Sequence, residues 1–270
     1  MKRSRKKSLL RRLVCLLSVL LAGFIAFQFV YPDVSQLKKT NPKKTAMMEF
    51  REEQWQSEGK KYKINQKWVP LRAVSPYLVK AVLISEDDKF WKHEGFDYEA
   101  IQKAIEKDIK SKKLKLGGST ISQQLAKNLY LSPSKNPVRK IREAIITWRM
   151  ERELSKKRIL ELYLNVAEWG DRGIFGAEAA ARHYYGKPAS ALGPEEAARL
   201  AAVLPNPRKF NPLGAQKYVL RRSNLIYSIM VRRGIVVPEY EEVEESKEPD
   251  VTSDGQQQSP EPIERIKPSE

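Results

Sequence analysis

Residues 117–128 read GGSTISQQLAKN and combine a glycine turn with the start of an amphipathic helix. The two glycines allow close approach of another backbone segment, and Ser119 or Thr120 can cap the helix that follows. Within it, Thr120, Gln124 and Lys127 are spaced i, i+4 and i+7 and share one face. Such a row of hydroxyl, amide and ammonium groups suits an anionic, hydroxyl-rich ligand such as a sugar phosphate, or it is simply a solvated helix face.

The rest of the globular sequence also predicts helices. Further helix starts are marked by capping residues or by proline at the first helical position, at Ser75-Pro76, Asp97, Asn136-Pro137, Ser155 and Gly193-Pro194. Runs with strand-like alternation are few and short. The predicted fold class is therefore mainly α, with one small hairpin near residues 60–70.

An acidic segment, EDDKFWKHEG at residues 86–95, follows an apolar helix. A carboxylate at the exit of a buried helix can be partly desolvated, which raises its pKa toward values useful for a general base, so this segment is a candidate catalytic site. The alternative is a solvated acidic helix end. His93, taken alone, is more often a structural histidine than a catalytic one.

A second candidate carboxylate lies in the segment RKIRE at residues 139–143. Arg139 and Glu143 are spaced i, i+4 and can pair with each other on a helix surface. Apolar residues follow, so that Glu143 lies at the edge of an apolar face. Glu143 is therefore a plausible second carboxylate, and the neighbouring cations rather than desolvation would set its environment.

Charge and hydropathy divide the chain into five parts. Residues 1–12 are basic, and residues 13–31 form an uncharged, mostly apolar run that predicts an uncleaved transmembrane helix rather than a signal peptide. Residues 32–45 are expected to be a linker and residues 46–237 the globular domain. The acidic tail, 238–270, is expected to be disordered. The basic start predicts an N-terminus in the cytoplasm and a domain on the other side.

Several classes of protein are excluded by composition. The chain has one cysteine and two histidines among 270 residues, which excludes an intrachain disulfide framework and a Cys/His-rich metal site. The single thiol, Cys15, falls in the predicted membrane segment, so the external part suits an oxidising envelope. The net charge of +17 and the 41% apolar residues argue against a polytopic membrane protein.

Five segments in order resemble the motifs of the peptidoglycan glycosyltransferases that polymerise lipid II (glycosyltransferase family 51). E-D-x-x-F-x-x-H-x-G matches residues 86–95, and G-x-S-T-[IL]-x-Q-Q-x-x-K-N matches residues 117–128. R-K-x-x-E matches 139–143, and K-x-x-I-L-E-x-Y-L-N matches 156–165. A glycine- and alanine-rich region at 173–187 also fits. The resemblance covers about residues 46–230, nearly the whole globular part.

This resemblance implies a lysozyme-like α-helical domain with a small membrane-facing lobe. The donor would be a glycan chain on a polyprenyl diphosphate, and the acceptor would be lipid II. Glu86 would be the general base that deprotonates the acceptor 4-hydroxyl, giving a β-1,4 bond with inversion. Glu143 would be the second catalytic carboxylate, orienting either cations or a divalent metal such as Mg²⁺ or Mn²⁺. The chemistry itself would require no cofactor.

The resemblance also assigns the remaining motif residues to two groups. Those implied to bind substrate are Gly118, Ser119, Thr120, Gln123, Gln124, Lys127, Asn128, Arg139 and Lys140. Among them, Lys127, Arg139 and Lys140 would hold the diphosphates. Those implied to be structural are Asp87, Phe90, His93, Glu161 and Asn165. The expected partners are lipid II, the growing glycan, the membrane and other cell wall synthesis and division proteins, but no nucleic acid. The expected location is the bacterial cytoplasmic membrane, with the catalytic domain outside.

Two other functions remain open on the residues alone. A lytic transglycosylase would share the lysozyme-like fold, but it would not need the Arg139-Lys140 pair. A non-catalytic envelope module that binds anionic lipids would explain the lysines between residues 103 and 115, although not Glu86. A transpeptidase domain is not expected, because the sequence contains no K-T-G motif. The protein is therefore expected to be monofunctional.

Overall fold

A computed structural model describes most of the globular part of the chain. The residues described are 12, 13, 15–20, 23, 27, 30–111, 118–133 and 136–236, with backbone only at 107–111 and 137. The predicted tail 238–270, eight residues of the predicted membrane segment 13–31, nearly all of the basic segment 1–12, Gly117 and the lysines at 112, 113 and 115 lie outside these residues. Within the described part, no helix is both long and apolar enough to cross a membrane.

The described globular part is mainly helical, as predicted. Its α-helices are α1 (Ala46–Ser57), α2 (Pro76–Glu86), α3 (Tyr98–Ser111), α4 (Ile121–Tyr130), α5 (Pro137–Glu153), α6 (Lys156–Val166), α7 (Ala177–Tyr185), α8 (Pro194–Val203) and α9 (Lys217–Arg232).

Local capping explains why these helices begin where they do. The side chains of Ser75, Asn136 and Ser155 each accept a hydrogen bond from a backbone N–H in the first turn of α2, α5 and α6. Thr120, rather than Ser119, caps α4. Each cap satisfies a backbone N–H that has no partner within its helix. The predicted helix starts are therefore confirmed.

The predicted hairpin near residues 60–70 is wrong. The strand there, β1 (Asn65–Gln66), pairs in parallel with β2 (Ile174–Phe175). A hairpin joins neighbouring antiparallel strands, whereas this partner lies more than 100 residues further along the chain. Gly173 makes the approach feasible: it has φ +80°, and a Cβ there would lie 2.3 Å from the Lys63 carbonyl oxygen.

One hydrophobic core extends from the start of the described domain to its end. Helices α4, α6 and α8 contribute fully buried residues such as Leu125, Leu160 and Leu200. The segment expected to be a linker also packs here, because Val34 and Leu37 are buried in the same core. The Arg158 guanidinium strengthens this attachment by donating to the Leu37 carbonyl at 2.8 Å.

Asn165 at the end of α6 holds the segment before α2 in place. Its Oδ1 accepts from the Val69 N–H at 2.9 Å, and its Nδ2 donates to the carbonyls of Val69 and Glu161 at 2.9 and 2.8 Å. Glu161 adds a further bond by accepting from the Leu71 N–H at 2.9 Å. Because Asn165 is fully buried, its side chain replaces the solvent that these groups would otherwise bind.

We expect Asn165→Ala to destabilise the fold by about 2–4 kcal/mol, because it leaves partly buried backbone groups of Val69 without partners and empties a fully buried site. The free energy of unfolding in urea measures this. The matched control is Asn224→Ala, since Asn224 is exposed on α9 and its truncation should cost less than about 0.5 kcal/mol. Equal effects of the two substitutions would contradict the structural role of Asn165.

Candidate active site

A cleft with a volume of about 670 Å³ opens beside the C-terminal end of α2. One wall is the turn before α4 and the polar face of that helix. The opposite wall comes from the end of α8 and from α9. The polar and charged residues of motifs one and two that line it are Glu86, Asp87, Asp88, Lys89, Ser119, Thr120, Gln124 and Lys127.

Glu86 ends α2 with both carboxylate oxygens held in place. Gln124 Nε2 donates to Oε2 at 3.0 Å. On the other side, Oε1 lies 3.0 Å from the Ser85 hydroxyl and 3.5 Å from Arg222 Nη2. The carboxylate is mostly buried, with 9% of its side chain exposed, yet it lines the cleft. A fixed carboxylate that faces a cleft has the geometry of a general base.

The Gln124 amide is itself oriented by α6. Tyr163 donates its hydroxyl to Gln124 Oε1 at 3.0 Å. Burial raises the pKa of Tyr163 well above its usual value of 10.0, and the nearby Glu86 carboxylate raises it further. The phenol therefore remains a donor, and the amide must direct its NH₂ toward Glu86. Gln124 lines the cleft, but both ends of its amide are engaged by the protein.

Asp87 joins the first motif to the second. Its buried carboxylate accepts from the Ile121 N–H at 2.9 Å, at the start of α4. His93 Nε2 lies 2.9 Å from the same carboxylate, while His93 Nδ1 accepts from the Gly95 N–H at 3.1 Å. Since Nδ1 is an acceptor, Nε2 carries the proton and donates to Asp87. These contacts connect residues that are 34 positions apart.

Other motif residues are engaged in local structure. Thr120 and Gln123 form a capping box, and the Thr120 hydroxyl also donates to the Gly95 carbonyl at 2.7 Å. Asn128 is buried on α4. Phe90 is fully buried, with its ring 4.5 Å from Lys156 Nζ in a cation–π contact. Gly118 and Ser119, by contrast, line the cleft.

Three cations lie near one another where α4 and α5 pack together. Lys127 is half-buried in the cleft, and burial lowers its pKa. The positive charges of Arg139 and Lys140 lower this pKa further, whereas Glu143 and Glu86 oppose the change. Lys140 Nζ lies 3.4 Å from the cleft residue Ser119. Motifs two and three thus form one electropositive corner.

Glu143 is the acidic centre of this corner. Its side chain is only 4% exposed, and its two oxygens face Arg139 Nη1, at 3.1 Å, and Lys140 Nζ. Among the described residues, no group of three or more His, Cys, Asp or Glu side chains is arranged to hold a metal ion. The geometry around Glu143 is that of a carboxylate that orients two cations, and it leaves neither oxygen free of a cationic neighbour.

The opposite wall contains residues outside the five motifs. Leu204, Pro205, Tyr218 and Arg222 line the cleft there, and Ser85 on α2 is a further lining residue outside the motifs. Nothing in the local sequence separates Arg222 from Arg221 beside it, so sequence motifs identify neither as a site residue. A helical wheel of α9 offers a signal, because Arg222 follows the buried Val219 by three positions and precedes the buried Ile226 by four.

Comparison with known proteins identifies the family of this chain. The family model described as Transglycosylase matches residues 52–231. The chain is 46% identical over 217 residues to a biosynthetic peptidoglycan transglycosylase of Nitrosospira multiformis, covering 78% of this chain and 94% of the relative. It is 47% identical to the protein of the same name from Aromatoleum aromaticum, covering 82% of this chain and 98% of the relative. The chain therefore belongs to the transglycosylase family.

The buried ammonium of Lys127 should reduce stability in a pH-dependent way. Because burial lowers its pKa below 10.5, the charged form is disfavoured in the folded state relative to the unfolded chain. This cost is present below the lowered pKa and disappears as the pH rises past the ordinary lysine value. We therefore expect Lys127→Met to have a higher Tm than the wild type at pH 7, with a smaller difference at about pH 11.

Thermal unfolding at both pH values measures this effect. Lys80→Met is the matched control, because Lys80 is exposed on α2 and its loss should give no pH-dependent gain. A lower Tm for Lys127→Met at pH 7 would show that the Lys127 ammonium stabilises the fold through its neighbours.

Proposed function

We propose that this transglycosylase is a monofunctional peptidoglycan glycosyltransferase that polymerises lipid II into β-1,4-linked glycan strands with inversion. The observation that carries the proposal is the position of Glu86. Its carboxylate is held at both oxygens, faces the cleft, and lies close enough to Lys127 to influence its pKa. A general base next to a fixed cation is what transfer from a diphosphate donor requires.

Glu86 acts on the acceptor. It removes the proton of the 4-hydroxyl as that oxygen attacks the anomeric carbon of the donor sugar. The new C–O bond forms on the face opposite the departing diphosphate, so the α-linked donor becomes a β-1,4 glycosidic bond. Glu86 is then neutral and releases its proton to solvent before the next cycle.

Lys127, Arg139 and Lys140 act on the donor. The diphosphate leaves as an anion, and preorganised cations stabilise the negative charge that develops in the transition state. Such a leaving group needs no carboxylic acid to protonate it, unlike the alcohol released in glycoside hydrolysis. The polyprenyl diphosphate leaves with its negative charge balanced by this corner.

We assign Glu143 to orienting Arg139 and Lys140. Both of its oxygens face these cations, so a divalent metal such as Mg²⁺ or Mn²⁺ at Glu143 would have to compete with one of them. A metal would neutralise diphosphate charge if it were bound with the substrate. The steps above use side chains of the chain itself.

Residues 13–31 are proposed to anchor the protein in the cytoplasmic membrane, with the catalytic domain outside. An exposed apolar row on α5, formed by Val138, Ile141 and Trp148, supports a membrane-facing side of the domain. Tyr98 and Ile105 on α3 are exposed apolar residues as well. Anchoring brings the enzyme to substrates that are confined to the same membrane, which favours their encounter.

The two alternative functions differ in what they do to labelled lipid II. A polymerase makes glycan strands from it. A lytic transglycosylase would instead cleave existing glycan, and a binding module would leave lipid II unchanged. The electropositive corner of Lys127, Arg139 and Lys140 favours the polymerase, because cleavage of a glycan releases no diphosphate.

We expect Glu86→Gln to lower the rate of lipid II polymerisation by about 10²–10⁴-fold, because an amide cannot accept the proton. Gel analysis of fluorescent lipid II products measures the rate, and the Tm reports folding. The control is Glu94→Gln, an exposed carboxylate in the same segment, which should retain wild-type activity. A Glu86→Gln enzyme with more than about a tenth of the wild-type rate would remove Glu86 from the role of base.

We expect the phosphoglycolipid moenomycin to bind in the donor half of the cleft and block polymerisation, whereas penicillin should have no effect. Its phosphate would lie against Lys127, Arg139 and Lys140, so binding should weaken with salt. Arg139→Ala should cost about 1.5–3 kcal/mol of binding free energy. Calorimetry with the full chain in detergent measures this, with Arg152→Ala as an exposed control on the same helix. Equal affinities for wild type and Arg139→Ala would contradict a phosphate site at this corner.

A further inference from the structure

Arg222 reaches the cleft from α9, which packs against α2. Its Nη2 donates to the carbonyl oxygen and to the hydroxyl of Ser85, both at 3.0 Å. The same nitrogen lies 3.5 Å from Glu86 Oε1. Arg222 thus contacts the two last residues of α2 at once, across 137 positions of sequence.

We propose that Arg222 is a positioning residue that holds Glu86 in its reactive orientation. The proposal rests on the proposed function, in which Glu86 is the general base. Arg222 acts through Ser85 and Glu86 rather than on substrate. It supplies, from outside the five motifs, the second half of a clamp whose first half is the Tyr163–Gln124 pair.

The position of Glu86 explains why a second support is needed. The last carbonyls of a helix have no partner within the helix, and the Ser85 carbonyl is one of them. Arg222 satisfies this carbonyl and so stabilises the final turn of α2. Without Arg222, Gln124 would still hold the Glu86 carboxylate at Oε2 and the Ser85 hydroxyl would still donate to Oε1, but that hydroxyl would lose its own guanidinium partner. An error of about 1 Å in the position of a reacting group can cost a factor of 10² in rate.

The shape of the side chain also fits this role. A guanidinium presents several N–H donors in a rigid plane, so it can bridge a carbonyl, a hydroxyl and a carboxylate. A lysine ammonium carries the charge but lacks this planar arrangement. The Arg222 side chain is 31% exposed, so solvent screens part of its attraction for Glu86. Its main contribution is therefore orientation, with a smaller one from charge.

The test measures the polymerisation rate at saturating lipid II and the KM in the full-length enzyme, for Arg222→Ala, Arg222→Lys and Arg222→Gln. We expect Arg222→Ala to lower kcat by about 10–100-fold, with KM for lipid II changed by less than about two-fold because the residue does not touch substrate. Arg222→Lys should recover part of the rate. Arg222→Gln should also lower kcat, because its amide cannot bridge Ser85 and Glu86 as the guanidinium does. Arg221→Ala is the control, since its side chain is exposed on the same helix.

The outcomes separate this proposal from the function on which it rests. An active Glu86→Gln enzyme would overturn the role of Glu86 itself. An inactive Glu86→Gln enzyme together with wild-type kcat in Arg222→Ala would overturn only the positioning role. A raised KM with unchanged kcat would make Arg222 a substrate contact instead. If Arg222→Ala lowers the Tm strongly, Arg222→Gln carries the test, because its amide can still donate to Ser85.

Discussion

The active site depends on the buried carboxylate of Asp87. It accepts hydrogen bonds from the first N–H of α4 and from His93, and so ties the end of α2 to the start of α4. A carboxylate at a helix N-terminus is stabilised by the helix dipole and by the unpaired N–H groups there. The bond from the Ile121 N–H to Asp87 fixes the end of α2 against the start of α4. It thereby places Glu86 near Lys127 on the cleft-facing side of α4.

The row of polar residues on α4 has two kinds of member. Lys127 faces the cleft as a half-buried cation with a lowered pKa. Gln124 lies on the same helical face, but its amide donates to Glu86 and accepts a hydrogen bond from Tyr163. Thr120 is engaged in capping the helix and in binding the Gly95 carbonyl. The row predicted to bind a ligand therefore has mainly structural roles, since Gln124 orients Glu86 and Thr120 caps the helix. Lys127 is the member of the row that is available to bind an anion.

The two carboxylates Glu143 and Glu86 each have cationic neighbours. Glu143 holds Arg139 and Lys140 from within the domain, so cations that would repel one another remain together beside Lys127. A buried carboxylate with two cationic partners is electrostatically compensated, and the three cations outnumber the single carboxylate at this corner. Arg222 gives Glu86 a comparable neighbour from the opposite wall.

The sequence by itself determined the helical class, the starts of the helices and the motif residues from Glu86 to Asn165. These features follow from short-range physics, because a cap bonds to an N–H two or three residues away and a helix face repeats every three or four residues. The tertiary structure alone decided the parallel pairing of β1 with β2, the engagement of Gln124 by Tyr163, and the approach of Arg222 to Ser85. Each of these contacts joins residues 39 or more positions apart. Such contacts form only when whole helices pack together. A local sequence pattern does not predict which side chains this packing brings into contact.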